Sequence, residues 1–400
     1  RTIDFAVRDY RSMSGDSWRR LILGNTSRLG MVIIVFFLVA TVLTQVFWEY
    51  DPRTDLDYTL KLKPPNLVAT EEIDSIHPFG TDKLGRDIFR RVAHGGWNSL
   101  RVGIVAVGIS LTIGGLLGLL AGYYESMPLG TGGRATIAGG IGLLLGGVAA
   151  WVSRQPYQVL LFIALGIVAA LQDDFWAGRT RRFLLFGGVG LLCGLLPALP
   201  TSIWAGVFCG VLGLVVGVIV ALPLQGGVVS SGIMRVMDIL LAFPGILLAI
   251  AIVAMLGPGL EKGMIAIGVV AIPVYARLTR STVLSVIQHE YVTASLSVGV
   301  GQGRVLFRHV LPNCLSPIIV QATMGLAGAI LSAAALGFLG LGAIPPEPEW
   351  GAMLGDSYRY LTSGAWWAVL FPGLAIMLAV LGFNLLGDGL RDALDPRLRL

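Results

Sequence analysis

Six long apolar runs, at 29–49, 99–122, 239–257, 263–280, 315–340 and 366–387, decide what this chain can fold into. A helix needs about 20 apolar residues to cross roughly 30 Å of hydrocarbon, and these runs are of that length. Only 13% of the 400 residues are charged, too few to cover the surface of a soluble domain of this size. The mean hydropathy of +0.77 equally excludes a disordered chain. Glycine makes up 54 residues without a collagen period, which suits transmembrane helices whose backbones approach closely. The expected fold class is all-α, a polytopic transmembrane bundle.

Four further apolar runs, 135–152, 157–171, 183–199 and 202–222, lie between the second and third of the six. Run 157–171 is the shortest and fits a re-entrant segment as well as a span. With the N-terminus inside and all ten runs crossing, 18 of the 29 basic residues fall on the inner side. The triplet Arg179, Arg181 and Arg182 then lies in an inner loop, as the positive-inside bias requires. Two extra crossings instead of four keep the same parity. The first run follows about 28 polar and basic residues and is too long for a signal-peptide core, so it reads as a retained first span.

Several function classes lack their residues. No Asp or Glu lies in mid-span, which weakens a proton- or sodium-driven carrier. Arg101, Asp238 and Arg277 sit at span ends, within snorkelling reach of water. Gly80 to Asp87 has the glycine spacing of a phosphate loop, but Arg86 and Asp87 replace the required Lys and hydroxyl. His77, His94, His289 and His309 are scattered without metal-ligand spacing, and Cys193, Cys209 and Cys314 belong to or border apolar runs. The net charge of +5 comes without the basic stripe that nucleic acid would need. No catalytic, cofactor-binding or metal-binding residues are expected on the chain.

The stretch from Arg277 to Pro312 is too polar to span, yet it is not loop-like. Ser281 to Val298 contains neither Gly nor Pro, so helix is favoured there. Gly299, Gly301 and Gly303 break it, Arg304 to Val310 can resume it, and Pro312 punctuates the entry to the next span. Pattern alone leaves an ordinary amphipathic loop as an equal alternative. The spacing, however, is Thr293-Ala294-Ser295, three residues, Gly299, then Leu311-Pro312 after His309 and one more residue, preceded by Glu290-Tyr291-Val292. It resembles the cytoplasmic signature of the inner-membrane permeases of binding-protein-dependent ABC importers: Glu-Ala-Ala, three residues, Gly, nine residues, Ile, one residue, Leu-Pro. Thr293 stands where the signature has Glu, Ser295 where it has Ala, and His309 where it has Ile.

Other segments are similar to the dipeptide/oligopeptide/nickel branch of that family, second-permease type. They are His77-Pro78-Phe79-Gly80-Thr81-Asp82-Lys83-Leu84-Gly85-Arg86-Asp87, Leu240 to Gly245, Phe338 to Gly342 with Pro345-Pro346 and Trp350-Gly351, and the tail Asn384 to Asp392. The resemblance covers about 1–124 and 230–400. The family runs from a Gly-Tyr-Tyr like Gly122-Tyr123-Tyr124 almost directly into a stretch like Ile233 to Asp238, so 125–229 reads as an inserted hydrophobic segment of four spans.

The resemblance implies a six-span permease core plus about four extra spans. In order these are a cytoplasmic segment 1–28, a first span 29–49, a periplasmic segment 50–98, a second span 99–124, the insertion, and the rest of the core at 230–400. The coupling loop would be 281–312, with both termini cytoplasmic in a bacterial or archaeal inner membrane. The family's partners would be a second homologous permease, two cytoplasmic ATPase subunits carrying ATP and Mg, an extracytoplasmic solute-binding protein, and lipid, with no nucleic acid. Glu290, Tyr291, Thr293, Ala294, Ser295, Gly299, Leu311 and Pro312 would form the ATPase contact. Di- or oligopeptides are the leading cargo, with nickel or another small solute open; a self-sufficient carrier or channel is the alternative from another class.

Overall fold

The computed structural model describes residues 21–47, 50, 55–68, 76–126, 160–164, 188–193, 195, 211 and 226–394. The four-span reading of 125–229 thus lies outside the described residues, apart from short helical pieces at 160–164 and 188–193. Nine helices carry the described core. They are α1 (Asn25–Phe47), α2 (Ile88–Ser126), α3 (Gly226–Ala242), α4 (Gly245–Leu256), α5 (Leu260–Ile287), α6 (Glu290–Ser297), α7 (Gln302–Phe338), α8 (Trp350–Ser357) and α9 (Trp367–Leu394). Among the described residues there is no strand, only isolated bridges Asn66–His77 and Thr81–Asp87. The all-α reading holds.

Helices α1, α2, α5, α7 and α9 are long and apolar enough to cross a membrane, and the α3–α4 pair makes a sixth if counted as one bent span. The run 239–257, read as a single span, is broken: α3 and α4 meet at a bend of 91°. Pro244 explains it, because it has no N–H to continue α3 and its ring disfavours helical backbone at Phe243. Pro273, Pro317 and Pro372 lie inside continuous helices.

Helices also outrun their apolar runs. The second begins at Ile88 rather than near 99, because the Asp87 carboxylate accepts from the N–H groups of Phe89 (2.7 Å) and Arg90 (3.2 Å) and caps it there. Apolar length measures the part in lipid. The 39 residues of α2 rise roughly 58 Å at 1.5 Å per residue, so it projects well beyond the hydrocarbon.

The chain separates into two compact units, Leu120–Met234 and the remainder. The first takes in residues 125–229 with a few more on either side. Near its two ends Ser230 Oγ donates to Glu125 Oε2 at 2.9 Å, so the chain leaves this unit close to where it enters.

Within the other unit, α1 packs on α9, α9 on α7, and α7 on α5. Small residues set these distances. A Cβ on Gly30 would lie 2.7 Å from the Leu386 nitrogen, and one on Gly382 would lie 2.9 Å from Ile33. One on Gly114 would lie 2.5 Å from the Ile272 carbonyl, and one on Gly118 would collide with that of Ala276. The α2–α5 crossing is thus backbone against backbone, as small-xxx-small faces predict. Large apolar side chains such as Val32, Phe36 and Val46 remain exposed, where lipid would cover them.

The described part of the segment before α2 is packed, unlike a solvated loop. The buried Asp82 carboxylate accepts from Arg86 Nε at 2.7 Å and from Arg91, and also from the N–H groups of Leu84 and Arg86. Trp367 Nε1 donates to the Thr81 carbonyl at 3.1 Å and Lys83 pairs with Asp356 at 2.8 Å, joining the segment to α9 and to the end of α8. Glu349, 1% exposed, caps α8 by accepting from Gly351 and Ala352, each at 2.9 Å. Burial pushes its carboxyl above the usual range, against the pull of those N–H groups and Ser99.

Two outcomes are expected. Asp82→Ala strands two buried guanidinium groups and lowers stability by about 3–5 kcal/mol, read as a melting-temperature drop of the purified membrane protein. Lys83→Ala, at a half-exposed pair, stays within about 1 kcal/mol. Likewise, Gly118→Ala overpacks the α2–α5 crossing by about 1–3 kcal/mol, whereas Gly108→Ala, with open space around its position, leaves the melting temperature in place.

Candidate functional site

Two features stand out between the spans: the short helix α6 with its flanking breaks, and a cavity among α2, α4, α5 and α7. The helix expected from Ser281 to Val298 is two helices. Helix α5 runs on to Ile287, the chain breaks at Gln288 and His289, and α6 takes the eight residues Glu290–Ser297. Glu290 stands in its first turn, where the positive end of the helix dipole favours a carboxylate.

The end of α6 is built by Gly299. The Gly299 N–H bonds the Leu296 carbonyl at 3.0 Å and the Val300 N–H bonds the Ser295 carbonyl at 3.2 Å, the paired closure of a Schellman motif. That closure needs a left-handed residue, and Gly299 has φ +81°. No atom lies within 4 Å of where its Cβ would be, so backbone conformation, not space, demands the glycine.

Thr293, Ala294 and Ser297 are exposed along α6, and Val292 faces inward, wholly buried. Of the three substituted signature positions, Thr293 and Ser295 are on α6 and His309 is in the wide turn of α7. Ser295 spends its hydroxyl on the Tyr291 carbonyl at 2.7 Å, and the Thr293 carbonyl takes the Ser297 hydroxyl at 3.0 Å. The helix packs on α5 and on the start of α7. Burial, and then the Cys314 thiol, raise the Tyr291 phenol above its ordinary value, and its ring stacks on His289 with centroids 5.8 Å apart. Val298 is 83% exposed and Phe307 60%, an apolar rim around a polar helix.

Leu311 and Pro312 do not begin a new helix, as the punctuation suggests. They lie inside α7, just after a wide turn at Leu306–Val310 in which the Leu311 N–H reaches the Leu306 carbonyl five residues back. Pro312 supplies the cause: it has no N–H for the Arg308 carbonyl and its ring would crowd it. The Asn313 side chain donates to the His309 carbonyl at 2.7 Å. The signature residues Glu290 to Ser295 and Gly299 are therefore together on one element, while Leu311 and Pro312 shape the neighbouring helix.

The cavity has a volume of about 280 Å³. Ala106, Val107 and Ser110 line it from α2; Gly245, Ile246 and Ala249 from α4; Ile267 to Tyr275 from α5; Gln321 to Ser332 from α7. Its polar groups are few: Ser110, Tyr275, Gln321 and Ser332. Tyr275 reaches the Gln321 carbonyl at 3.4 Å, over Gly325, where any Cβ would strike the phenol oxygen. Gln321 lines it, whereas the other polar span residues Thr112, Thr323 and Asn384 do not. Tyr275 was the readable signal, a hydroxyl-bearing ring inside a span.

Residues 213–400 match the family described as binding-protein-dependent transport system inner membrane component. The match begins inside run 202–222, earlier than residue 230. The dipeptide transport system permease protein of Alkalihalophilus pseudofirmus is 36% identical over 384 residues, covering 96% of this chain and 90% of that protein. The di/tripeptide transport system permease protein of Pseudomonas aeruginosa is 50% identical over 227 residues, covering 56% of this chain and 75% of that protein. The glutathione transport system permease protein of Pectobacterium atrosepticum is 32% identical over 382 residues, covering 96% and 90%. With a helical core and relatives of 36% and 32% identity matched over 90% of their length, this chain belongs to the inner-membrane permeases of binding-protein-dependent transport systems.

Proposed function

We propose that the chain is one permease subunit of an ATP-driven importer of di- or oligopeptides. The relatives named above carry peptides or glutathione, which supports the cargo class. A second homologous permease completes the path, two cytoplasmic ATPases supply the energy, and an extracytoplasmic binding protein delivers the peptide. The chain is a multi-pass inner-membrane protein with both termini cytoplasmic, and it binds no cofactor or nucleic acid of its own. ATP and Mg act on the ATPase subunits. An autonomous carrier is not favoured, since none of the long apolar runs holds an Asp or Glu in mid-run to take a driving ion.

The observation that carries this reading is α6, an eight-residue helix closed by Gly299 and wedged between the ends of α5 and α7. Seated on an ATPase through Tyr291, Thr293, Ala294 and the apolar rim, it would move as a rigid body and swing α5 and α7 with it. Glu290 and Ser295 hold the helix itself, and Leu311 and Pro312 fix its support on α7.

Gly299→Val forces a side chain into left-handed backbone at about 1–2 kcal/mol and unravels the end of α6. The expected result is loss of the ATPases from a mild-detergent pull-down and about tenfold less ATP-driven peptide uptake. Gly301→Ala, where φ is −59° and space is open, should leave both unchanged. Full uptake by Gly299→Val would contradict the assignment.

A further inference from the structure

Arg277 and Asp238 are not the two separate snorkelling residues that their positions at span ends suggested. Arg277 of α5 reaches Asp238 of α3 at 2.5 Å. Both side chains are half exposed, at 52% and 48%. Exposed apolar side chains neighbour them along both helices, Val236, Ile239 and Leu241 on α3 and Val274 on α5, with Arg235 and Arg280 one turn away. Charges kept in such a setting are costly, and a well-packed apolar pair would hold two helices as well. Packing therefore does not explain them.

Their position relative to the cavity does. Val270, Val274 and Arg277 stand at i, i+4 and i+7, one face of α5. The first two line the cavity, and Arg277 lies about one helical turn beyond, roughly 5 Å along the axis. On the other wall, Gly245 and Ile246 line the cavity just past the break at Pro244, and Asp238 lies before it. The α5 member of the ion pair thus lies about one turn past the lining of a chamber whose own polar groups are all neutral.

We infer that Asp238 and Arg277 form a subsite that receives the two charged ends of a zwitterionic peptide as it leaves the cavity. This rests on the peptide reading above. A free peptide carries an ammonium and a carboxylate, the same pair of charges as the side chains. When the pair parts, the guanidinium takes the carboxylate through a two-pronged contact and Asp238 takes the ammonium. Each charge exchanges one partner for another, so none is stranded in an apolar setting. The cavity beside it accommodates the peptide's side chain. The bend at Pro244 gives α3, and with it Asp238, a point about which to move.

The test uses the complete permease–ATPase complex in lipid nanodiscs, without its binding protein, and equilibrium dialysis of labelled alanyl-alanine, its N-acetyl derivative and its C-terminal amide. The intact complex should retain the free dipeptide about tenfold better than either blocked form. Arg277→Gln should erase the preference over the amide alone, Asp238→Asn the preference over the acetylated form alone, and Arg277→Lys should restore part of the first. Equal loss for all three peptides in both variants would mean a purely structural pair and overturn the subsite, as would an intact complex without preference. Uptake into cells with the binding protein present keeps the two readings apart. A wild type that imports the dipeptide yet shows no preference in dialysis loses the subsite alone. One that imports no peptide loses the cargo reading.

Discussion

Every N–H and C=O within the hydrocarbon must find its partner inside the protein, because no water is there to take it. Long helices meet that demand and are nearly inert. Whatever this chain does must therefore happen where a helix is interrupted or ends. The interruptions are few and each has a chemical cause. Pro244 separates α3 from α4, the Gln288–His289 break frees α6, Gly299 closes it, and Pro312 widens α7 beside it. The first borders the cavity and the other three surround the exposed helix. Motion at α6 reaches the cavity through α5 without any further joint, since α5 is continuous from Leu260 to Ile287.

The opposite end of the bundle is built for the contrary purpose. Asp82 with its two arginines, Glu349 with its two backbone donors, and Trp367 on the Thr81 carbonyl lock the segment before α2 to α8 and α9. Buried charges of this kind hold geometry because removing one partner leaves the other uncompensated. A transporter that switches by rigid-body movement needs one such fixed end. The glycine crossings at Gly114, Gly118, Gly30 and Gly382 bring backbones into contact elsewhere in the bundle, where packing is least compressible.

Much of this was legible in the residues. The apolar runs located the core spans, and the Thr293 to Pro312 spacing located the helix that Gly299 ends. Span ends were not, because a helix continues for as long as its N–H groups are bonded. Asp87 starts α2 well before its apolar run. The bend at Pro244 was readable as a possible kink, but its 91° depends on what packs around it. The Asp238–Arg277 pair was invisible, since 39 positions separate residues that neighbouring helices bring together. The cavity was unreadable for the same reason: its lining is one or two residues per turn from four helices. Nothing in the sequence marks Glu349 as buried, because the room for its carboxylate comes from Gly337 and Gly342.

The central claim is that α6 is the surface through which an ATPase drives this permease. A photo-reactive amino acid at Ala294, an exposed position on α6, tests it in native membranes containing all the subunits. The account predicts an adduct with an ATPase subunit whose yield changes between ATP-bound and ADP-bound conditions. No ATPase adduct in membranes that still import the cargo, or an adduct only with an extracytoplasmic protein, would contradict it.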